Sequence, residues 1–188
     1  MNIFSIELSS IQCSIAISAN EKLISEETWS ENNRTSKHVF ETLKSIIARS
    51  PFVQEKFDLF ITGTGPGIFS GLRIAISVAT GMALPARKNV YGIGSTWSLA
   101  KNVANICNNN PIIVCGDARR SHFWFAAFEI TTENICEILP CSIFPSNKWP
   151  AMLPVNGTLA SPDWDCLLYT SDAADDLLCV DLGGRRII

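Results

Sequence analysis

The sequence predicts a mixed α/β protein of two lobes, each of which opens with β-strands. Three observations support this fold class. Apolar and polar residues alternate through three short segments over 1–29. Amphipathic helices then alternate with short apolar strands over 36–107. After the break at Asn110-Pro111 the sequence returns to strand-like segments. The repeated opening predicts a duplicated architecture.

The opening segment predicts three antiparallel strands joined by tight turns. Ile11, Cys13, Ile15 and Ile17 fall on one face of the second strand. The strands are predicted over Met1–Leu8, Ile11–Ser18 and Lys22–Trp29, with turns at Ser9-Ser10 and Ala19-Asn20-Glu21.

The middle of the first lobe alternates helices and strands. In Ser36–Arg49 apolar residues recur every three or four positions, so an amphipathic helix is predicted, capped by Thr35 or Ser36. The elements that follow are predicted as a strand over Phe57–Thr62, a helix over Ser70–Leu84 ended by Pro85, a strand over Asn89–Ile93, and a helix over Ser95–Cys107 capped by Ser95.

The second lobe is predicted from strands over Pro111–Cys115, Ser121–Ile130 and Asn134–Leu139. From about Cys166 neither a helical period nor strand alternation is visible, and the last nine residues, VDLGGRRII, resemble a translated sequencing-library adapter. We therefore expect a first lobe over 1–107, an incomplete second lobe over 108–165, and a non-native tail over 166–188.

Composition narrows the class of protein. The chain is 47% hydrophobic and 18% charged, which is typical of globular proteins. A net charge of -3 argues against an autonomous nucleic-acid binder. Seven cysteines without a CxxC pair predict free thiols in a reducing compartment, and two histidines are too few for a zinc site. With neither a signal peptide nor an apolar run of about 20 residues, we expect a cytoplasmic protein without a membrane segment.

A glycine-rich segment, GTGPGIFSGLR at 63–73, joins a predicted strand to a predicted helix. It lacks the Gly-Lys pair of a Walker A loop and the third glycine of a dinucleotide fingerprint. Free N–H groups at the helix start can hold an anion, and the weak candidates are Gly65, Gly67, Ser70 and Gly71. Ser70 is the predicted N-cap, which places Arg73 at N3. A tight turn without a ligand is the alternative.

Small residues recur every four positions along the Ser70–Leu84 helix. Such a ridge lets another helix approach closely, either within this domain or in a partner chain. If the second helix belongs to a partner chain, the Ser36–Arg49 helix is expected to contribute to the same interface. The interface candidates are His38, Val39, Thr42, Leu43, Ile46, Arg73, Ile74, Ala75, Val78, Ala79 and Met82.

Asp117, Arg119 and Arg120 lie between two predicted strands of the second lobe. They are either a polar turn or an arginine pair at the lobe cleft or on a contact surface.

The segments GTGPGIFSGLRIAISVATGMALP, VYGIGSTWSLA and GDARRSHFWFAAF, in this order, resemble the TsaB (YeaZ) family over Met1 to about Phe128. The resemblance implies a two-lobe fold like that of actin, Hsp70 and sugar kinases, with ribonuclease-H-like lobes. It also implies a non-catalytic subunit for threonylcarbamoyl transfer to the adenosine beside the anticodon of ANN-decoding tRNAs. The implied partners are the catalytic subunit TsaD, bound through helices of the first lobe, and the ATPase TsaE. Contact with tRNA would be indirect, and a homodimer can form when the chain is free.

Two positions depart from the patterns of related proteins. Metal-binding relatives carry two histidines one turn apart, whereas here Thr42 follows His38, so no metal site is expected. The family start usually has aspartate where this chain has Glu7, which argues against ATP hydrolysis by the chain alone. We expect ATP or ADP only within the complex. The alternative function is a free-standing small-molecule kinase or ATPase of the same superfamily. It would need a complete nucleotide site in the second lobe.

Overall fold

The computed structural model of the chain describes residues 1–31, 37–52, 56–106, 110–131, 134–148, 157–162 and 178–181. The chain divides into two compact units, the first built on Met1–Ser95 and the second on Thr96–Gly183. Each unit contains one five-stranded sheet. The mixed α/β class with two sheets is therefore confirmed.

The sheet of the first unit has the order β3-β2-β1-β4-β5. The first three strands are antiparallel, as predicted, and β4 and β5 extend the sheet in parallel from β1. The strands are β1 (Asn2–Glu7), β2 (Gln12–Ala19), β3 (Lys22–Ser30), β4 (Leu59–Gly63) and β5 (Val90–Ile93).

Two helices pack on this sheet, α1 (Lys37–Arg49) against β2 and β3, and α2 (Phe69–Ala86) against β4 and β1. The core beneath them contains an aromatic cluster in which the ring centroids of Phe4, Phe57 and Phe60 lie 5.8–6.1 Å apart. Offset and edge-to-face pairs at such distances add to the stabilisation from apolar burial. The predicted caps of α1, Thr35 and Ser36, lie outside the described residues.

Both ends of α2 differ from the prediction. The N-cap is Ile68 and not Ser70, so Ser70 lies in the first turn and Arg73 beyond N3. The backbone geometry explains this difference, because the N–H of Ile68 donates to the carbonyl oxygen of Ser9 at 2.6 Å and fixes where the helix begins. The helix also continues through Pro85 to a left-handed C-cap at Arg87, with φ 51°.

The second unit repeats the strand order of the first. Its order β8-β7-β6-β9-β10 has three antiparallel strands followed by two parallel ones, which matches β3-β2-β1-β4-β5. This is the ribonuclease-H-like lobe that the resemblance implies, and the predicted duplication is confirmed. The strands are β6 (Ile112–Arg119), β7 (His122–Ile130), β8 (Ile135–Pro145), β9 (Thr158–Ser161) and β10 (Leu178–Asp181), with a 3-10 helix at Ser146–Lys148.

Helix α3 (Ser95–Ala104) packs on the second sheet, not on the first. Ala100 and Val103 are fully buried with Val114 and Phe128, because the apolar stripe of α3 faces β6 and β7. The compact first unit therefore ends at Ser95, ahead of the boundary at 107 that the sequence suggests. No element is predicted beyond 165, whereas the structure pairs Leu178–Asp181 with β9 in parallel. The native or non-native origin of 166–188 stays a prediction.

Candidate partner-binding face

An apolar groove of about 590 Å³ lies between α1 and α2 of the first unit. Aliphatic and aromatic side chains form most of its walls, and Arg73 is the one charged residue among them. The lining residues are Phe40, Leu43, Ser70, Arg73, Ile74, Ser77, Val78, Gly81 and Met82. We call this surface the α1/α2 groove.

Large apolar side chains continue outward from the groove. Phe40 is 56% exposed, and on α2 Phe69 and Leu84 are 73% and 74% exposed. The Cζ atom of Arg73 lies 5.5 Å from the centroid of the Phe69 ring, a cation–π arrangement that keeps the cation at the groove margin. Contiguous exposed apolar surface of this kind marks interaction sites in soluble proteins.

Helix α2 is long and apolar enough to cross a bilayer, and among the described residues it alone meets that criterion. The core helix of a soluble protein can meet the same criterion of length and hydropathy. Only four of its 18 residues, Ala75, Val78, Ala79 and Ala83, are buried in the chain, so most of its apolar surface is uncovered.

The ridge of small residues faces the protein core. Ala75 and Ala79 are fully buried, and Val78 is buried at the inner edge of the groove, because α2 needs small side chains to lie close to β1 and β4. On α1, Val39 and Ile46 are buried in the same core. Val39, Ile46, Ala75 and Ala79 were therefore wrongly assigned to the predicted interface, whereas Val78 lines the α1/α2 groove.

Six interface candidates do reach the surface: His38, Thr42, Leu43, Arg73, Ile74 and Met82. The groove brings Leu43, Ile74 and Met82 together with Arg73, while His38 and Thr42 lie outside its lining. Sequence reasoning missed Phe40, Ser77 and Gly81. The helical period predicts that Phe40 lies on the apolar face of α1. It does not show how much of that face is covered by the sheet.

The glycine-rich loop is shaped by packing. A Cβ atom on Gly71 would clash with the carbonyl oxygen of Leu8, and one on Gly67 would clash with that of Ser9. Gly65 has φ +90°, a left-handed conformation that favours glycine. The tight-turn interpretation therefore accounts for Gly65, Gly67 and Gly71 without a ligand, and anion binding stays a prediction.

Glu7 lies buried behind this loop with both carboxylate oxygens engaged. Oε1 accepts the N–H of Ser9 at 2.7 Å, and Oε2 accepts the hydroxyl of Ser95 at 2.8 Å. The Ser95 hydroxyl oxygen also accepts the N–H of Gly65 at 3.2 Å. Ser95 is thus used for this network and not as the helix cap that the sequence suggests. The described residues contain no cluster of three potential metal ligands.

In the second unit, Asp117 and Arg119 are brought together in the β6–β7 turn. The Asp117 carboxylate accepts the N–H of Arg119 at 2.6 Å, and its second oxygen lies 3.2 Å from the Arg119 guanidinium. Arg120 is exposed beside them. The arrangement fits the polar-turn reading and leaves Arg120 free to contact other molecules.

The described cysteines are free thiols in two environments. Cys13 and Cys115 are buried, and Cys136 and Cys141 are exposed on β8. Burial, with the nearby charges of Glu31 and Glu7, raises the pKa of Cys13 to about 12. Cys141 is exposed as a residue, but partial burial of its thiol and the charge of Glu137 also raise its pKa. Buried, protonated thiols such as that of Cys13 are unreactive.

Comparisons with known proteins agree on one family. The family described as "TsaD: tRNA N6-adenosine threonylcarbamoyltransferase" matches residues 22–145. The tRNA threonylcarbamoyladenosine biosynthesis protein TsaB of Buchnera aphidicola from Acyrthosiphon pisum is 24% identical over 71% of this chain and 60% of its own length. TsaB of Escherichia coli is 22% identical over 69% and 55%. The chain spans between half and two thirds of the length of these curated relatives.

Solved structures show the same fold. YeaZ from Pseudomonas aeruginosa superposes with a TM-score of 0.79 at 16% identity, covering 96% of this chain and 84% of that one. A second structure, described as similar to peptidase YeaZ from the same organism, gives a TM-score of 0.78 at 16% identity and covers 99% and 85%.

Proposed function

Since the chain belongs to the TsaB (YeaZ) group of the TsaD family, we propose that it is a non-catalytic scaffold subunit of a tRNA threonylcarbamoyladenosine-forming complex. In this proposal the α1/α2 groove binds the catalytic subunit TsaD, and the ATPase TsaE joins the pair. The observation that carries the proposal is a large exposed apolar groove on a chain of this family.

The chemistry of the groove supports a protein partner. Its walls are apolar, whereas a nucleotide or metabolite site needs several convergent polar groups. Only Ser70, Arg73 and Ser77 supply polar side chains to the lining. An apolar helix face that buries a few large side chains, with one cation at its margin, is typical of helix–helix association. We therefore expect an apolar helix of the partner in the groove, with a carboxylate near Arg73.

The geometry of Glu7 supports a non-catalytic role. Each carboxylate oxygen already accepts a hydrogen bond from the chain itself, so the side chain is held in an internal network. A Cβ atom on Gly63 would overlap this carboxylate, which shows how little space remains around it. We infer that ATP or ADP binds to the assembled complex and not to this chain alone, and that the complex acts in the cytoplasm.

The test is co-elution of the chain with a bacterial TsaD on a sizing column. Ser77→Arg places a charge in the groove, and Ser45→Arg makes the same change on an exposed part of α1 outside the groove lining. We expect a complex for the wild type and Ser45→Arg, and its loss for Ser77→Arg. If the complex still forms with Ser77→Arg, TsaD binds at a surface other than the α1/α2 groove. A folded wild type that never binds TsaD would overturn the scaffold function.

The same column reports self-association. Exposed apolar helix faces associate readily, so the free chain can cover the groove with a second copy of itself. We expect the free wild type to elute as a dimer and Ser77→Arg to elute as a monomer. Titration with TsaD should then replace the homodimer by the heterodimer.

A further inference from the structure

Three basic side chains lie at the β6–β7 turn, and a fourth lies on the 3-10 helix that follows β8. The N–H of Ser146 donates to the carbonyl oxygen of Ser121 at 2.9 Å, which holds the 3-10 helix after β8 beside the β6–β7 turn. All four side chains are exposed. The group, called here the basic turn, consists of Arg119, Arg120, His122 and Lys148.

The basic turn is positively charged in a chain whose net charge is -3. Asp117 is the acidic residue that contacts it, through the ion pair with Arg119. Within the part of the chain that the structure describes, Arg120 and Lys148 have no ion-pair partner. At least two cations are therefore available to an external anion.

The turn geometry does not explain the arginines. Arg119, Arg120 and Ser121 have φ values of 67°, 53° and 58°, a region that residues with a Cβ adopt at some cost. A two-residue hairpin turn of this kind prefers Asn-Gly or Asp-Gly. The matching β2–β3 turn of the first unit has Asn20 at its first position, which fits that preference, and Glu21 at its second, which does not. Arginine at the corresponding place is thus disfavoured locally, as expected where function selects the residue.

The donors of the basic turn suit phosphate groups. A guanidinium presents a fork of N–H donors to phosphate oxygens, and an ammonium adds a point charge. His122 is held by a hydrogen bond from its Nδ1 to the carbonyl oxygen of Arg120 at 2.8 Å, so its ring is oriented beside the arginine. We propose that the basic turn binds the phosphate backbone of RNA directly. The choice of tRNA as that RNA rests on the proposed function.

The test uses the complex of this chain with TsaD and an unmodified tRNA transcript, with affinity measured by fluorescence anisotropy at several salt concentrations. The variant is Arg120→Glu with Lys148→Glu. The control is Lys88→Glu with Lys101→Glu, which changes the net charge equally at exposed lysines outside the basic turn. Co-elution with TsaD is measured first for every variant, so that loss of the complex is recorded separately from loss of RNA binding.

We expect the basic-turn variant to raise the Kd for tRNA about tenfold, and the slope of log K against log salt to become shallower by about two, one unit for each lost phosphate contact. The control should change Kd less than about threefold. If both double variants weaken tRNA binding equally, the effect is explained by net charge alone and the proposal is overturned. An unchanged Kd in an intact complex would also overturn it. Loss of TsaD or TsaE binding by the basic-turn variant would identify the turn as a protein contact instead.

Discussion

The hydroxyl of Ser95 donates a hydrogen bond to the carboxylate of Glu7 at 2.8 Å and so joins the end of β1 to the start of α3. Ser95 also accepts the N–H of Gly65, so the glycine-rich loop is attached to the same point. Glu7 therefore completes an internal network of hydrogen bonds. The carboxylate contributes to the stability of the first unit.

Replacement of Glu7 tests this network. Glu7→Gln places an amide NH2 where an oxygen now accepts a hydrogen bond, so one buried donor loses its partner. We expect a loss of about 1–3 kcal/mol in the free energy of unfolding, measured by urea denaturation. Glu129→Gln, at an exposed position of β7, is the control and should change stability by less than about 0.5 kcal/mol. Equal stability of Glu7→Gln and the wild type would contradict the network.

Replacement by alanine is expected to have opposite effects on stability at two glycines of α2. Gly71→Ala drives a methyl group into the backbone oxygen of Leu8 and should cost about 1–3 kcal/mol. Gly81→Ala meets no atom within 4 Å and should stabilise the helix by about 0.5–1 kcal/mol. Thermal unfolding followed by circular dichroism measures both. A stabilising Gly71→Ala would mean that the first turn of α2 does not lie against Leu8 as described.

Neighbouring positions on α2 should respond differently to arginine. Ala79 is fully buried, so Ala79→Arg forces a charge into the core and should cost more than about 3 kcal/mol. Ser77 is exposed in the α1/α2 groove, and Ser77→Arg should unfold within about 0.5 kcal/mol of the wild type. Urea denaturation compares the two. If Ala79→Arg retained wild-type stability, the ridge would have to face outward.

The cysteines should differ in their reaction with a maleimide. Cys13 is buried and its pKa is raised to about 12, so almost no thiolate forms near neutral pH. Among the four cysteines whose environments the structure describes, exposed Cys136 should be labelled first, with Cys141 slower because its pKa is also raised. Peptide mass spectrometry after timed quenching assigns each site. Labelling of native Cys13 as fast as Cys136 would contradict its burial.

The raised pKa of Cys13 also predicts a dependence of stability on pH. The unfolded thiol ionises near its ordinary value of 9.0, whereas the folded thiol keeps its proton until about pH 12. The contribution of Cys13 is therefore complete below pH 9 and is lost as the pH rises toward 12. Comparison of Cys13→Ala with the wild type at about pH 8 and about pH 10 should show a smaller difference in unfolding free energy at the higher pH. A constant difference would contradict the shift.

Local patterns in the sequence determined much of the fold. Alternation of apolar and polar residues over 1–29 predicted the three antiparallel strands, because successive side chains of a strand point to opposite faces of the sheet. Repeated strand openings predicted the duplicated lobes. The cluster of glycines at 65, 67 and 71 between a strand and a helix indicated a tight turn, because glycine adopts unusual backbone conformations more readily than other residues. These signals reside in residues close together in the chain.

Tertiary structure decided which side of each helix faces the core and which unit each helix joins. The sequence marked Ala79 and Phe40 as apolar positions on helices, but only packing shows that Ala79 is enclosed while Phe40 projects into the groove. Helix α3 joined the second unit because its apolar stripe meets β6 and β7. The hydrogen bond between Ser95 and Glu7 joins residues that are 88 positions apart in the sequence. Such choices depend on contacts between distant segments, which local periodicity does not encode.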